Sequence, residues 1–290
     1  MRYYIIIPAH NEEEFLTFTL QSILEQSLLP EKVIIVNDNS SDGTEKIIDQ
    51  FVGHHTIFTK LNTKSSNAHM PGSKVINAFH KGMTLIDGNY DFIVKLDADL
   101  ILPKRYFKSI ADEFKISPEL GIVGGFVYER SQTDEWKLNH PMNKKHVRGA
   151  FKAYSKACFK AIGGLRSAMG WDTLDELLAQ YHGFELKTLD HLKVKHLRPT
   201  GDAYSPKAKL LQGKAMYLMG YGFTLTLLAS IKMAFKQRKP IAIYHNLKGF
   251  MRARRSKEQR MVTQDEADFI RSLRWRGITR KIFGTTKKAT

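Results

Sequence analysis

In the stretch FIVKLDADLILP, residues 92–103, two aspartates close an apolar run. Asp97 and Asp99 stand where a strand of that length would end. Past such an end, alternate side chains can diverge, one toward a metal and one toward a ribose or the backbone. A nucleoside diphosphate is itself negative, so carboxylates beside it need a cation between them. Mg2+ or Mn2+ accepts carboxylate and phosphate oxygens together. Alone, Asp-x-Asp is a weak signal and more often a solvated turn. Two further polar clusters follow other apolar runs: Pro8–Glu12 (PAHNE), and Asp38 at the head of the turn DNSSDGT.

The elements that must carry these residues alternate along the chain. Tyr3–Pro8 reads as a buried strand, and Asn11 as the cap of a helix opening with Glu12, Glu13 and Glu14, whose charges suit a helix N-terminus. Phe15, Phe18, Ile23 and Leu24 fall on one face of that helix. After Pro30 come a strand at Val33–Asn37, a helix ending near Val52 and a weaker strand at Thr56–Lys60. The polar loop Lys64–Gly72 opens a helix over Ser73–Ile86. Asp91–Leu96 and Gly121–Tyr128 are strands flanking a helix over Lys104–Lys115. Such alternation predicts an α/β fold with a mostly parallel sheet flanked by helices. Ligands bind outside the carboxyl ends of such strands, and all three polar clusters fall there.

A chain of 290 residues accommodates one large domain, or one domain with an extension. The single cysteine, Cys158, rules out an intrachain disulfide and suits a reducing compartment. No basic segment followed by an apolar one precedes the first strand, so no secretory signal is expected. Charge is lopsided. Residues 1–204 hold 25 Lys and Arg against 25 Asp and Glu, whereas residues 205–290 hold 20 against 4, which accounts for the whole net charge of +16. The chain therefore reads as a balanced domain over 1–204 and a basic, partly amphipathic helical extension over 205–290.

Within the extension, Ala215–Ile231 carries no charge for 17 residues, the lower limit for crossing a bilayer. Gly220 and Gly222 interrupt it, and Lys207, Lys209, Lys214, Lys236, Arg238 and Lys239 flank it. A helix lying in a membrane interface fits better than a spanning one; packing on the first domain with a solvated basic face is the rival. Further on, FMRARRSKEQR and RSLRWRGITRKIF interleave basic residues with Phe250, Met251, Leu273, Trp275, Ile278 and Phe283. An anionic membrane surface is the expected partner. Nucleic acid is not, since neither zinc-finger spacing nor a helix-turn-helix is present.

Neither G-x-G-x-x-G after the first strand nor G-x-x-x-x-G-K-[ST] occurs, which argues against dinucleotide oxidoreductases and P-loop enzymes. A Gly-rich loop of the nucleotidyltransferase kind is missing too, because PAHNEE stands in its place. With IIIPAHNEE (Ile5–Glu13), VIIVNDNSSDGT (Val33–Thr44), KLDADLILP (Lys95–Pro103) and AIGGLRSAMGWDTLDELLAQYHG (Ala161–Gly183), the chain resembles glycosyltransferase family 2 over roughly residues 1–200. These are inverting nucleotide-sugar enzymes of GT-A fold. The resemblance implies a donor site lined by Pro8, Ala9, His10 and Glu12, with Asp38 on the base and Lys74 nearby. It places Asp97 on the ribose side and Asp99 on a Mn2+ or Mg2+ cofactor.

The same resemblance implies transfer of a hexosyl or N-acetylhexosaminyl unit, UDP being the favoured nucleotide, to a glycan or lipid-linked acceptor in cell-surface polysaccharide synthesis. It also suggests a cytoplasmic protein, peripheral on the inner membrane face. Asp172 aligns with the acid the family uses as base, and Asp175 and Glu176 are runners-up. A helix over Thr173–Gln180 would equally make Asp172 its N-cap. His196, after the alternating run Leu192–Leu197, is expected as a metal or diphosphate ligand, or else as a structural side chain. Trp171 suits either an acceptor sugar or the core, and Arg148 either a phosphate or solvent. Two positions depart from the family: Asn37 precedes Asp38 where many members have two acids, and Trp171 precedes Asp172 where many have Glu. Those departures keep two alternatives open: a catalytically silent module that binds nucleotide-sugar or membrane, and a nucleotide-binding protein without sugar chemistry.

Overall fold

The computed structural model describes residues 1–65, 72–131, 133–138, 146–198 and 210–283. Lys207 and Lys209, part of the Lys64–Gly72 loop and the side chain of Phe283 lie outside the described residues. The chain divides into two compact units, Met1–Ser167 with Trp171–Asp202, and Ala168–Gly170 with Ala203–Thr290.

The first unit begins with β1 (Tyr3–Ala9), α1 (Leu16–Leu24), β2 (Lys32–Asp38), α2 (Thr44–His54), β3 (Phe58–Thr63) and α3 (Ser73–Met83). It continues through β4 (Phe92–Leu96), β5 (Leu100–Ile101), α4 (Tyr106–Ile116), β6 (Leu120–Arg130) and β7 (Trp136–Leu138). Then follow β8 (Phe151–Ser155), α5 (Lys156–Ala161), α6 (Trp171–Tyr181) and β9 (Glu185–His196). The strands join in one sheet ordered β3-β2-β1-β4-β8-β6-β9-β5, with β7 on β6. β1, β2, β3 and β4 run parallel, as do β6 and β9, while β8 runs antiparallel to β4 and β6.

The expected mostly parallel sheet flanked by helices is what forms. From β1 the chain moves outward to β2 and β3, then returns to place β4 on the other side of β1. The order reverses between β1 and β4, and crevices open at the carboxyl ends of strands at such a switch point. Tyr3 and Phe92, on those two strands, stack at 4.6 Å in the core.

Two local expectations are corrected. Helix α1 starts at Leu16, and Asn11 is no cap: it takes φ 55° and accepts a 2.8 Å bond from the Ser41 amide. Glu13 bonds the Gly43 amide at 2.6 Å, so these residues brace the turn before α2. Helix α1 buries Leu16, Thr19, Leu20 and Ile23, whereas Phe18 is half exposed. Thr19 is useful there: its hydroxyl donates to the Ala98 carbonyl (2.7 Å) and accepts from the Leu100 amide (2.9 Å). A polar residue on the buried face of α1 thus clamps the Asp97–Asp99 turn. Strands β5, β7 and β8 are too short or too polar to stand out in sequence.

The second unit contains α7 (Leu211–Leu218), α8 (Phe223–Gln237), α9 (Ile241–Arg255) and α10 (Gln264–Phe283). The uncharged run at 215–231 is two helices, not one. Gly220 takes φ +79°, and the Tyr221 amide bonds back to the Met216 carbonyl at 3.0 Å, which ends α7 as a left-handed glycine ends many helices. Among the described residues no helix is long and apolar enough to cross a membrane. Helices α7 and α9 touch backbone to backbone: a Cβ on Gly213 would lie 1.8 Å from the Asn246 carbonyl oxygen, and one on Gly249 2.1 Å from that of Leu210.

Gly213→Ala must push those helices apart, because the obstructing atom is backbone. Overpacking of this kind costs about 1–3 kcal/mol, more than the ~1 kcal/mol that alanine returns in helix propensity. Urea denaturation should show the variant less stable; an unchanged or raised midpoint would mean that α7 and α9 do not pack this closely.

Candidate active site

A cavity of about 510 Å³ in the first unit opens at the carboxyl ends of β1, β2 and β4. Pro8, Ala9, His10, Glu12, Asp38 and Lys74 lie on its wall together with Asp97, Asp99, Asp172 and His196. These residues, separated widely in sequence, are therefore in one place, and Arg148 and Trp171 join them. The β1–β2 register sets Ala9 beside Asn37, so His10 reaches the Asp38 carbonyl with Nδ1 at 2.7 Å. Asp38 Oδ1 accepts from the Ser65 amide at 2.8 Å. Asn37 turns away to Asn62 on β3, at 3.0 Å.

The two aspartates have different surroundings. Asp97 forms an ion pair with Lys95, itself buried, and burial pushes the Asp97 carboxyl up against the pull of that ammonium. Asp99 receives His196 Nε2 on Oδ2 at 3.2 Å, while Oδ1 is buried without a hydrogen-bond partner. An unpartnered carboxylate oxygen in a buried site is costly. Burial alone would lower His196, but the carboxylates of Asp99, Asp97 and Glu129 overcome it and raise it. The β5–β9 pairing of Leu100 with His196 is what brings the imidazole to Asp99.

Among the described residues no group of three or more His, Cys, Asp or Glu could hold an ion by itself. Mg2+ and its analogues, however, are commonly bound through one or two carboxylates plus substrate phosphates. Asp99, with its free oxygen, fits that partial site, and His196 would join it by releasing one of the carboxylates that its two ring nitrogens engage, Asp99 at 3.2 Å and Glu129 at 3.4 Å.

Asp172 lies in the first turn of α6, not at a cap, where a carboxylate suits the helix dipole. Its place depends on two neighbours. Lys152 Nζ donates to its backbone carbonyl, and Gly149 leaves it room, since a Cβ there would come within 2.9 Å of Asp172 Cβ. The runners-up Asp175 and Glu176 do not line the cavity. They hold Lys152 from behind: its Nζ lies 2.8 Å from Asp175 Oδ1 and 3.1 Å from Glu176 Oε1, and Tyr154 donates to Asp175 at 2.5 Å. Burial pushes Asp175 up to about 7 against Lys152. Burial acts on Glu176 in the same sense, but Lys152 and His146 outweigh it and lower it. Trp171 is both buried and cavity-lining, with Lys95 Nζ 5.2 Å and Lys152 Nζ 5.9 Å from its ring.

Three cations, Arg198 and Lys95 on the cavity wall and Lys152 buried behind it, were not singled out from sequence. Arg198 grips Glu12 through two bonds of 2.6 and 3.2 Å, and burial pushes Glu12 up to about 7 against it. Lys95 and Lys152 are register partners on β4 and β8. For Lys95 a signal existed: a lysine inside an apolar run, two residues before Asp97, falls on the same strand face. Lys152, in the short segment FKAYS, offered none.

Residues 4–169, more than half of the chain, match the model of Glycosyl transferase family 2. The chain belongs to that family. It is 31% identical over 186 residues to a poly-beta-1,6-N-acetyl-D-glucosamine synthase of Staphylococcus epidermidis, covering 58% of this chain and 41% of that protein. A Staphylococcus aureus synthase of the same name is 30% identical over 121 residues, 41% of this chain and 27% of its own. The chain thus spans less than half the length of these relatives. Among solved structures, S. aureus TarS 1-349 in complex with UDP-GlcNAc superposes with a TM-score of 0.56 at 17% identity, over 93% of this chain and 81% of that one. The mannosyltransferase PcManGT from Pyrobaculum calidifontis, in complex with GDP-Man and Mn2+, gives 0.55 at 13%, over 97% and 81%. At such identities these two establish a shared fold.

Replacing Lys152 with Met leaves Asp175 buried without its ammonium, while Glu176 keeps His146 and the Val147 amide, at a cost of about 3–5 kcal/mol near neutral pH. Without the ammonium, burial holds Asp175 further above its value in the unfolded chain. Stability of that kind is present at acid pH and lost as pH rises. The deficit against wild type should therefore be larger at about pH 7.5 than at about pH 5. Urea unfolding at both values checks this, and an equal deficit would contradict the pairing.

Proposed function

We propose that this chain is an inverting glycosyltransferase that moves a sugar, favoured as an N-acetylhexosamine on UDP, to a glycan or lipid-linked acceptor during cell-surface polysaccharide synthesis. The observation that carries the reading is the meeting of Asp97, Asp99 and His196 with Asp172 in one cavity at the sheet's switch point. Family membership supports the reaction class, and the curated relatives, named as N-acetylglucosamine polymer synthases, support the sugar. UDP is preferred on the same ground, although GDP-Man occupies one protein of this fold.

In this reading the donor's base and ribose lie along Pro8, Ala9, His10 and Asp38, with Asp97 toward the ribose. Mn2+ or Mg2+ on Asp99 and His196 would neutralise charge developing on the leaving diphosphate. Lys74, Arg148 and Arg198 line the same cavity and add positive charge toward phosphate oxygens. The Trp171 ring offers a flat apolar face to a sugar. Asp172 takes the proton of the acceptor hydroxyl as its oxygen bonds to the anomeric carbon. The bond from that carbon to the diphosphate oxygen breaks on the other side, and the configuration inverts.

The basic second unit supports a peripheral position on an anionic membrane, for which the cytoplasmic face is the natural one. Phe235, 80% exposed on α8, and Ile241 and Tyr244, both over half exposed on α9, are apolar groups that an interface would cover.

Transfer from UDP-GlcNAc to chitooligosaccharide or lipid-linked acceptors, with the anomeric configuration followed by NMR, tests the reading. Asp172→Asn should lower kcat by about 10²–10⁴ while leaving UDP affinity unchanged. Donor binding without transfer to any acceptor would favour the silent binding module, and a fully active D172N would remove Asp172 from the base role.

A further inference from the structure

The second unit has a cavity of its own, about 440 Å³, unrelated to the residues described so far. Arg254, Arg260 and Arg271 line it beside Tyr217, Phe223 and Phe250, and no acid is part of its wall. The aromatic side is built. Tyr217 and Phe250 are buried and meet edge to face at 5.6 Å, and Phe223 follows at 6.3 Å from Phe250, 44% exposed.

The three guanidinium groups differ in how far they are engaged. Arg271 donates to the Gly220 carbonyl at 2.8 Å and pairs with Asp268. Arg260 stacks over the Tyr217 ring at 5.6 Å and reaches the Gln264 amide oxygen at 3.3 Å, both uncharged partners. Arg254 makes no side-chain hydrogen bond or ion pair with another described residue. Two other acids of the unit are committed elsewhere: Glu258 holds Lys214 at 2.6 Å, and Glu266 accepts from the Thr263 amide at 2.7 Å. Three like charges thus share one cavity with a single carboxylate against them, an arrangement that an anion relieves. Guanidinium forks match phosphate oxygens two at a time, which ammonium groups do not.

We propose that this cavity binds the phosphate headgroup of an anionic lipid, with Arg254 and Arg260 on the phosphate and Phe223, backed by buried Phe250, against the adjoining apolar chain. Phe223, exposed at the cavity, decides for a lipid over a free anion, because an apolar ring would add nothing to inorganic phosphate. The inference does not depend on the glycosyl-transfer reading.

Calorimetric titration of the full chain with dihexanoyl phosphatidic acid, kept below its micellar concentration, and with inorganic phosphate tests it. Saturable binding of about one equivalent of the lipid, clearly tighter than inorganic phosphate, is expected. R254Q/R260Q should weaken it about a hundredfold, roughly tenfold for each guanidinium–phosphate interaction removed. R254K/R260K, which keeps the charge but not the fork, should fall between. R276Q/R280Q removes the same charge away from the cavity and should leave affinity unchanged. Equal weakening by R276Q/R280Q would reduce the effect to diffuse charge, and equal affinity for inorganic phosphate would make it a free-anion site. Either result, or no saturable binding, overturns the proposal.

Discussion

Two buried lysines hold the candidate site in place. Lys95 and Lys152 face each other across β4 and β8, almost wholly out of water, with Trp171 near both. Two ammonium groups on adjacent strands in a core are unfavourable unless each is paired, because desolvation of each costs several kcal/mol. Lys95 finds Asp97, and Lys152 finds Asp175, Glu176 and the Asp172 carbonyl. One lysine therefore anchors the Asp-x-Asp turn and the other anchors the start of α6. The distance between the donor-side acids and Asp172 is set by one strand pairing, a rigid element rather than a loop.

The same pairing separates the duties of the two aspartates. Asp97 is neutralised by its neighbour, whereas Asp99 retains a buried oxygen with no partner. Such an oxygen is tolerated where something else completes it. A divalent metal, proposed above for Asp99 and His196, would do so, and the phosphates of a donor would fill the remaining positions.

Legibility followed burial. The strands β1, β2 and β4 are continuous apolar runs whose polar ends stand out, so the site residues at those ends could be collected from the sequence. Helix α1 misled because its buried face contains Thr19, which bonds the Asp97–Asp99 turn, while Phe18 faces solvent. Lys152 and Arg198 sit in segments with no periodicity to mark them; their partners, Asp175 and Glu12, come from distant parts of the chain. In the second unit the charge excess was countable from composition. The break in the uncharged run came down to Gly220, whose left-handed backbone ends α7.

The claim that Asp99 is the carboxylate left available for metal can be measured directly. UDP would be titrated into wild type and Asp99→Asn by calorimetry, with and without Mn2+. The account predicts saturable UDP binding that Mn2+ tightens in wild type, and a variant that keeps the metal-free affinity but loses the tightening. Mn2+ tightening UDP equally in both proteins, or in neither, would contradict it.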